Sequence, residues 1–196
     1  MTHRRRPPVR VAAAALLGAV LLAACGGTAE SEPIAAVEPA AAEPTEAADG
    51  GAPSAADASA AAAFTQVFAA ATTIDQPFDG ASLAGTDAVV WFWAPWCTIC
   101  RAEAPDVNKI VERYGDRVTF VGVGGRGALD EMQGFIDDTE TLGLPHVADL
   151  DGAIWQAFGV YAQPAFAFID DSGDIEVFVG GLGEDALADR LDDLTA

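Results

Sequence analysis

Three cysteines occur in the 196 residues, and two of them, Cys97 and Cys100, form a C-x-x-C. A pair at that spacing either closes a reversible disulfide or supplies half of a zinc site. A structural zinc wants four ligands, and beyond Phe64 the only further Cys or His is His146, so no metal is expected. The pair directly follows the continuously apolar run Ala88 to Trp93 and opens an amphipathic stretch. A thiol at a helix N-terminus meets unpaired backbone N–H groups and the positive end of the helix dipole, both of which favour thiolate. Cys97, first in the turn, is therefore expected to be the exposed nucleophile. Cys100, one turn in, is expected to be the buried thiol that resolves a mixed disulfide.

The elements that must hold this pair are legible from apolar patterning. Ala88 to Trp93 reads as a central strand covered on both faces. Residues 98–114 place Ile99, Ala102, Val107, Ile110, Val111 and Tyr114 at near-helical spacing, with Gly115 as the stop. Val118 to Val123 is the next strand, so strand, helix and strand make a βαβ unit with parallel pairing. Further on come a helix over 128–142, a short strand from His146 to Leu150 and a helical turn from Ala153 to Phe158. Ala165 to Ile169 and Ile175 to Val179 flank the turn-rich Asp170 to Asp174, which predicts an antiparallel hairpin. Glu184 to Leu194 closes the domain as a helix with Leu187, Leu191 and Leu194 inward. Phe64 to Thr73 and Pro77 to Leu83 are read as short strands. The predicted fold is α/β, a mixed sheet with helices on both faces, over residues 64–196.

Ahead of that domain the chain changes character. Arg4, Arg5, Arg6 and Arg10 precede 14 residues, Val11 to Ala24, that carry no polar side chain. That run is shorter than the roughly 20 residues of a spanning helix. With small residues before Cys25 it reads as an export signal over 1–24. Residues 26–63 hold seven acids, four prolines, no base and no aromatic, too little apolar surface to offset ordering entropy, and are expected to form a disordered tether. As a flexible coil it would reach about 35 Å. From Cys25 on, 6 basic residues face 30 acidic ones, a net charge of −24 that argues against a nucleic-acid partner.

Trp93-Ala-Pro-Trp-Cys-Thr-Ile-Cys100, with Pro105 five residues further on, resembles a thioredoxin-fold active site, and the likeness runs over residues 64–196. It is most similar to the extracytoplasmic TlpA, ResA and DsbE group, especially the secreted DsbE-like proteins of actinobacteria. The resemblance implies a thioredoxin-like three-layer sandwich and a protein thiol–disulfide oxidoreductase without a cofactor. It also implies that Gln163-Pro164 is the family's cis-proline site, packed against the cysteines, with the residue before it offering backbone hydrogen bonds to substrate. Leu22-Ala-Ala-Cys25 resembles a lipoprotein signal, which implies lipidation of Cys25 and anchoring to the outer face of the cell membrane; without lipidation the protein is secreted. Expected partners are exported thiol- or disulfide-containing proteins and a membrane redox protein that regenerates the pair.

Within that group an acid often stands three residues after the second cysteine. Here it is Glu103, which shares a helix face with Cys100 and is placed to accept its proton; a solvated surface carboxylate is the alternative. Trp96, abutting Cys97, is expected to line a substrate groove with Gln163. Two features depart from the wider fold family. The buried Asp common in reducing thioredoxins is replaced by Trp91, and the dipeptide Thr98-Ile99 carries neither the proline of reducing members nor the histidine of strong oxidants. Redox direction therefore stays open between oxidative folding and reduction for cytochrome c maturation.

Rival readings fare less well. Gly122-Val-Gly-Gly-Arg-Gly127 has the G-x-G-x-x-G form, but a dinucleotide fold begins with that motif and only 69 residues follow it. A thiol peroxidase wants Pro and Thr or Ser seven and three residues before its nucleophile, where this chain has Val90 and Ala94. Asp185, Asp189, Asp192 and Asp193 lack the spacing of a calcium loop. His146 is expected to be a structural residue rather than a titrating one. A peptide-binding module with a static disulfide remains the non-enzymatic alternative.

Overall fold

The computed structural model describes residues 55–196. The expected signal, Cys25 and most of the tether lie outside the described residues. Six strands form one mixed sheet in the order β1-β4-β3-β2-β5-β6, comprising β1 Thr72–Thr73, β2 Ala88–Trp93, β3 Thr119–Gly125, β4 His146–Asp149, β5 Ala165–Ile169 and β6 Ile175–Val179. Five helices cover it: α1 Ala55–Phe68, α2 Thr98–Tyr114, α3 Leu129–Thr139, α4 Ala153–Ala157 and α5 Glu184–Leu194.

β2 lies between β3, to which it is parallel, and β5, to which it is antiparallel, and all six of its residues are buried. Its continuous apolar sequence has this cause, since each side chain enters one of two cores. Val89, Trp91 and Trp93 join the face covered by α2, α3 and α5; Ala88, Val90 and Phe92 join the face covered by α1 and α4. The β2-α2-β3 crossover and the β5-β6 hairpin stand as the patterning predicts. α5 occupies Glu184–Leu194, with Leu187 and Leu191 buried and Leu194 half-buried. Tyr114 at the end of α2 ties α5 down, its hydroxyl donating to Asp192 Oδ1 at 2.8 Å.

Three expectations are corrected before β2. Phe64 to Phe68 is helical, not a strand, and α1 begins at Ala55, nine residues ahead of the expected domain start at Phe64. The alanine-rich stretch after Pro53 has high helix propensity. Phe64 and Phe68, one turn apart, then lay their rings against Phe158, with Phe68 also edge-on to Phe78. Only Thr72–Thr73 of the expected strand pairs, antiparallel to β4. In place of a strand from Pro77 to Leu83, Gly80–Leu83 forms a 3-10 turn capped by Asp79, whose carboxylate accepts from Ala81 N at 3.0 Å.

Candidate active site

β2 ends at Trp93, and α2 begins at Thr98, so Cys97 falls at the N-cap of α2, the position its turn gives to a polar acceptor. Cys97 Sγ accepts a hydrogen bond from Cys100 N at 3.0 Å. The two sulfurs are joined, with S–S 2.09 Å. Cys100 is fully buried, and Cys97 is only 5 % exposed. The nucleophile position is thus more enclosed than its place in the turn suggests. Its neighbours project instead: Trp96 is 58 % and Ile99 59 % exposed, so apolar surface brackets a nearly hidden sulfur. Ile99, counted with the inward face of α2 by spacing alone, points out, and Ala102 is exposed with it.

Gln163-Pro164 is a cis peptide bond. A Cβ on Gly181 would lie 3.3 Å from Ile99 Cγ2, 3.3 Å from Glu103 Oε1 and 3.8 Å from Pro164 Cγ. The β6–α5 link thereby reaches Ile99 of the C-x-x-C turn, the cis-proline and the acid together. Sequence reasoning missed Gly181 and Leu182 because nothing local marks them; they meet the site only when β6 pairs with β5.

Glu103 is 6 % exposed, so it is no surface carboxylate. It lies in the buried stripe of α2 with Cys100, Ala104 and Val107. Oε1 accepts from Leu182 N and Oε2 from Trp91 Nε1 at 3.1 Å. Burial pushes its carboxyl up to about 7, against the pull of those two hydrogen bonds in the other direction. Trp91, which displaces the fold family's usual Asp from β2, thus donates to an acid supplied by α2 instead.

His146 is fully buried beside Trp91 and Trp93. Its Nε2 lies 2.7 Å from Thr141 O, which fixes that nitrogen as the donor because a carbonyl only accepts. Burial holds the ring below the usual histidine range, so it stays neutral. Gly122, in β3, leaves the room: a Cβ there would run into the imidazole. His146 therefore belongs to the core under the site and does not face the disulfide's open side.

A disulfide at a helix N-cap is unremarkable as a staple; exposed apolar side chains beside it, a cis-proline that shares a neighbour with Ile99 and Glu103, and a buried carboxyl one turn below are what a sulfur exchanging with other chains needs. Fold and site together define a thioredoxin-like thiol–disulfide oxidoreductase. The chain belongs to the AhpC/TSA family, whose profile matches residues 60–178. It is 40 % identical over 133 residues to the soluble secreted antigen MPT53 of Mycobacterium tuberculosis, across 66 % of this chain and 75 % of that one. Among solved structures, MTB DsbF is 43 % identical with a TM-score of 0.61, covering 64 % of this chain and 93 % of that one. A secreted Mycobacterium tuberculosis disulfide oxidoreductase homologous to E. coli DsbE is 36 % identical with a TM-score of 0.57, covering 63 % and 96 %.

Proposed function

We propose that this oxidoreductase works outside the cytoplasm, held to the outer face of the membrane by lipidated Cys25, and exchanges disulfides with exported proteins through Cys97. The single observation that carries the mechanism is the buried Glu103 carboxyl, titrating near neutrality in the same α2 stripe as Cys100. A substrate thiolate attacks Cys97 Sγ, the bond to Cys100 breaks, and Cys100 leaves as a thiolate. Its proton comes from Glu103 when that group is protonated. A second substrate thiolate then attacks the substrate sulfur of the mixed disulfide and expels Cys97. The substrate loses two electrons and two protons to form its disulfide; of the protons its thiols released to water, one returns to Glu103 and one to the Cys97 thiolate, and the pair is left as two thiols. The reverse sequence, with Glu103 taking the Cys100 proton, reduces a substrate disulfide. A membrane redox partner restores whichever state was consumed.

Substrate lies, in this reading, against the exposed Trp96 ring and the backbone of Gln163. Replacing Cys100 with Ala removes the resolving thiol, so exported partners should accumulate as reductant-sensitive mixed disulfides on Cys97. Absence of any adduct in cells expressing this variant would leave only the static-disulfide module. Cys25→Ala should move the protein from the membrane fraction to the medium. Retention on the membrane would contradict the lipid anchor.

A further inference from the structure

The glycine-rich segment that ends β3 does something other than hold a nucleotide. A Cβ on Gly125 would lie 2.7 Å from the Trp155 ring, and one on Gly127 would run into the Pro95 ring. The two glycines thus let the β3–α3 link lie flat between α4 and the Trp93-Ala-Pro-Trp96 turn. Between them stands Arg126, a non-glycine residue held at φ 58°. That conformation costs a residue with a Cβ something that glycine avoids, so the side chain or its placement must repay it.

Arg126 makes contacts through both its carbonyl and its guanidinium. Its carbonyl accepts from Trp96 Nε1 at 2.8 Å. Its guanidinium donates to Gln163 Oε1 at 3.0 Å and to Tyr161 O at 2.8 Å, and lies over the Trp155 ring with its carbon 4.7 Å from the centroid. Trp96 precedes Cys97, and Gln163 precedes the cis-proline. One residue therefore bridges two segments that lie 67 positions apart in sequence, one leading into Cys97 and the other into the cis-proline Pro164. The planar fork of a guanidinium suits its two bonds to Gln163 Oε1 and Tyr161 O, as a lysine ammonium does not.

We propose that Arg126 is a positioning residue for the substrate groove, tying the Trp96 wall to the Gln163 wall so that both are set before substrate arrives. This rests on the reading that substrate binds between those walls. Pre-setting a groove lowers the cost of binding and leaves the sulfur chemistry alone, so the effect belongs in the concentration dependence of the reaction.

The test follows reduction of the Cys97–Cys100 disulfide by reduced, unfolded ribonuclease A, read by thiol alkylation over a range of ribonuclease concentrations. Arg126→Gly takes the φ of 58° without strain and is expected to fold as well as wild type by thermal melting. Its half-saturating concentration should rise about tenfold with the maximal rate within about threefold, and Arg126→Lys should fall between the two. Equal half-saturating concentrations in wild type and Arg126→Gly would overturn the proposal, as would a loss confined to the maximal rate. Failure of the wild-type disulfide to react with the ribonuclease at any concentration would overturn the underlying reading itself.

Discussion

The two faces of the sheet are built from the same strand and hold different things. Phe92, on one face, meets Trp155 edge-on and Phe158 at a tilt, among Val90, Val121, Val123 and Ile154. Trp91 and Trp93, on the other, meet Phe135, the imidazole of His146, the Glu103 carboxylate and the buried cysteines. The first face does own a buried acid, Asp149, yet both its oxygens are committed to helix α4, accepting from Ile154 N at 3.2 Å and Trp155 N at 2.8 Å. Glu103 caps no helix, and its proton is balanced near neutral pH. A strand with period-two side chains can thus send stabilising groups one way and reactive ones the other. The division predicts that damage to one face is read as lost stability and damage to the other as altered chemistry.

The largest effect belongs to the sulfur itself. Cys97→Ala should abolish disulfide exchange with any thiol, since the cysteine left at the site, Cys100, is fully buried and has lost its disulfide partner, while the fold keeps its packing; residual exchange in a thiol-alkylation assay would break the account. On the opposite face, Phe92→Ala should cost about 3–5 kcal/mol by urea unfolding, the usual range for a fully buried phenylalanine. The reduction potential of the pair should be unaltered, and a shifted potential would show that the faces are not separable.

Glu103 sharpens the comparison through pH. Its carboxyl titrates at about 7 when folded against an ordinary 4.5, so both states are protonated below about 4.5 and the folded state keeps its full advantage there. Between 4.5 and 7 only the unfolded chain gives up the proton, and stability falls as pH rises, by roughly 3 kcal/mol in total. Glu103→Gln should remove that component, so the wild-type minus variant difference in unfolding free energy should decline across this window. A flat difference would contradict the assignment. Smallest of the set, Trp91→Phe deletes one hydrogen bond to the carboxylate and should cost about 1–2 kcal/mol. It should also push the Glu103 titration higher, because a contact favouring the charged form is gone.

What the sequence disclosed follows the same physics. The C-x-x-C, the wholly apolar β2, the β5–β6 hairpin and the limits of α5 were legible because each is a local pattern of period or spacing. α1 was not, because alanine-rich composition after Pro53 serves a tether and a helix equally until Phe64 and Phe68 find Phe158. The burial of Glu103 was hidden for a related reason. Its helix neighbours mark it as near Cys100, but what encloses it, Leu182, lies 79 residues away. The glycine-rich segment showed only its form, and its partners Pro95, Trp155 and Gln163 come from three other elements or links.

The most direct test of the central claim is equilibration of the Cys97–Cys100 pair against glutathione buffers, with the two thiols counted by alkylation. The account predicts one two-electron transition involving both cysteines, between the DsbA-like end near about −120 mV and the thioredoxin-like end near about −270 mV. A pair that stays oxidised beyond about −300 mV would behave as a structural disulfide and contradict the claim that this site exchanges disulfides.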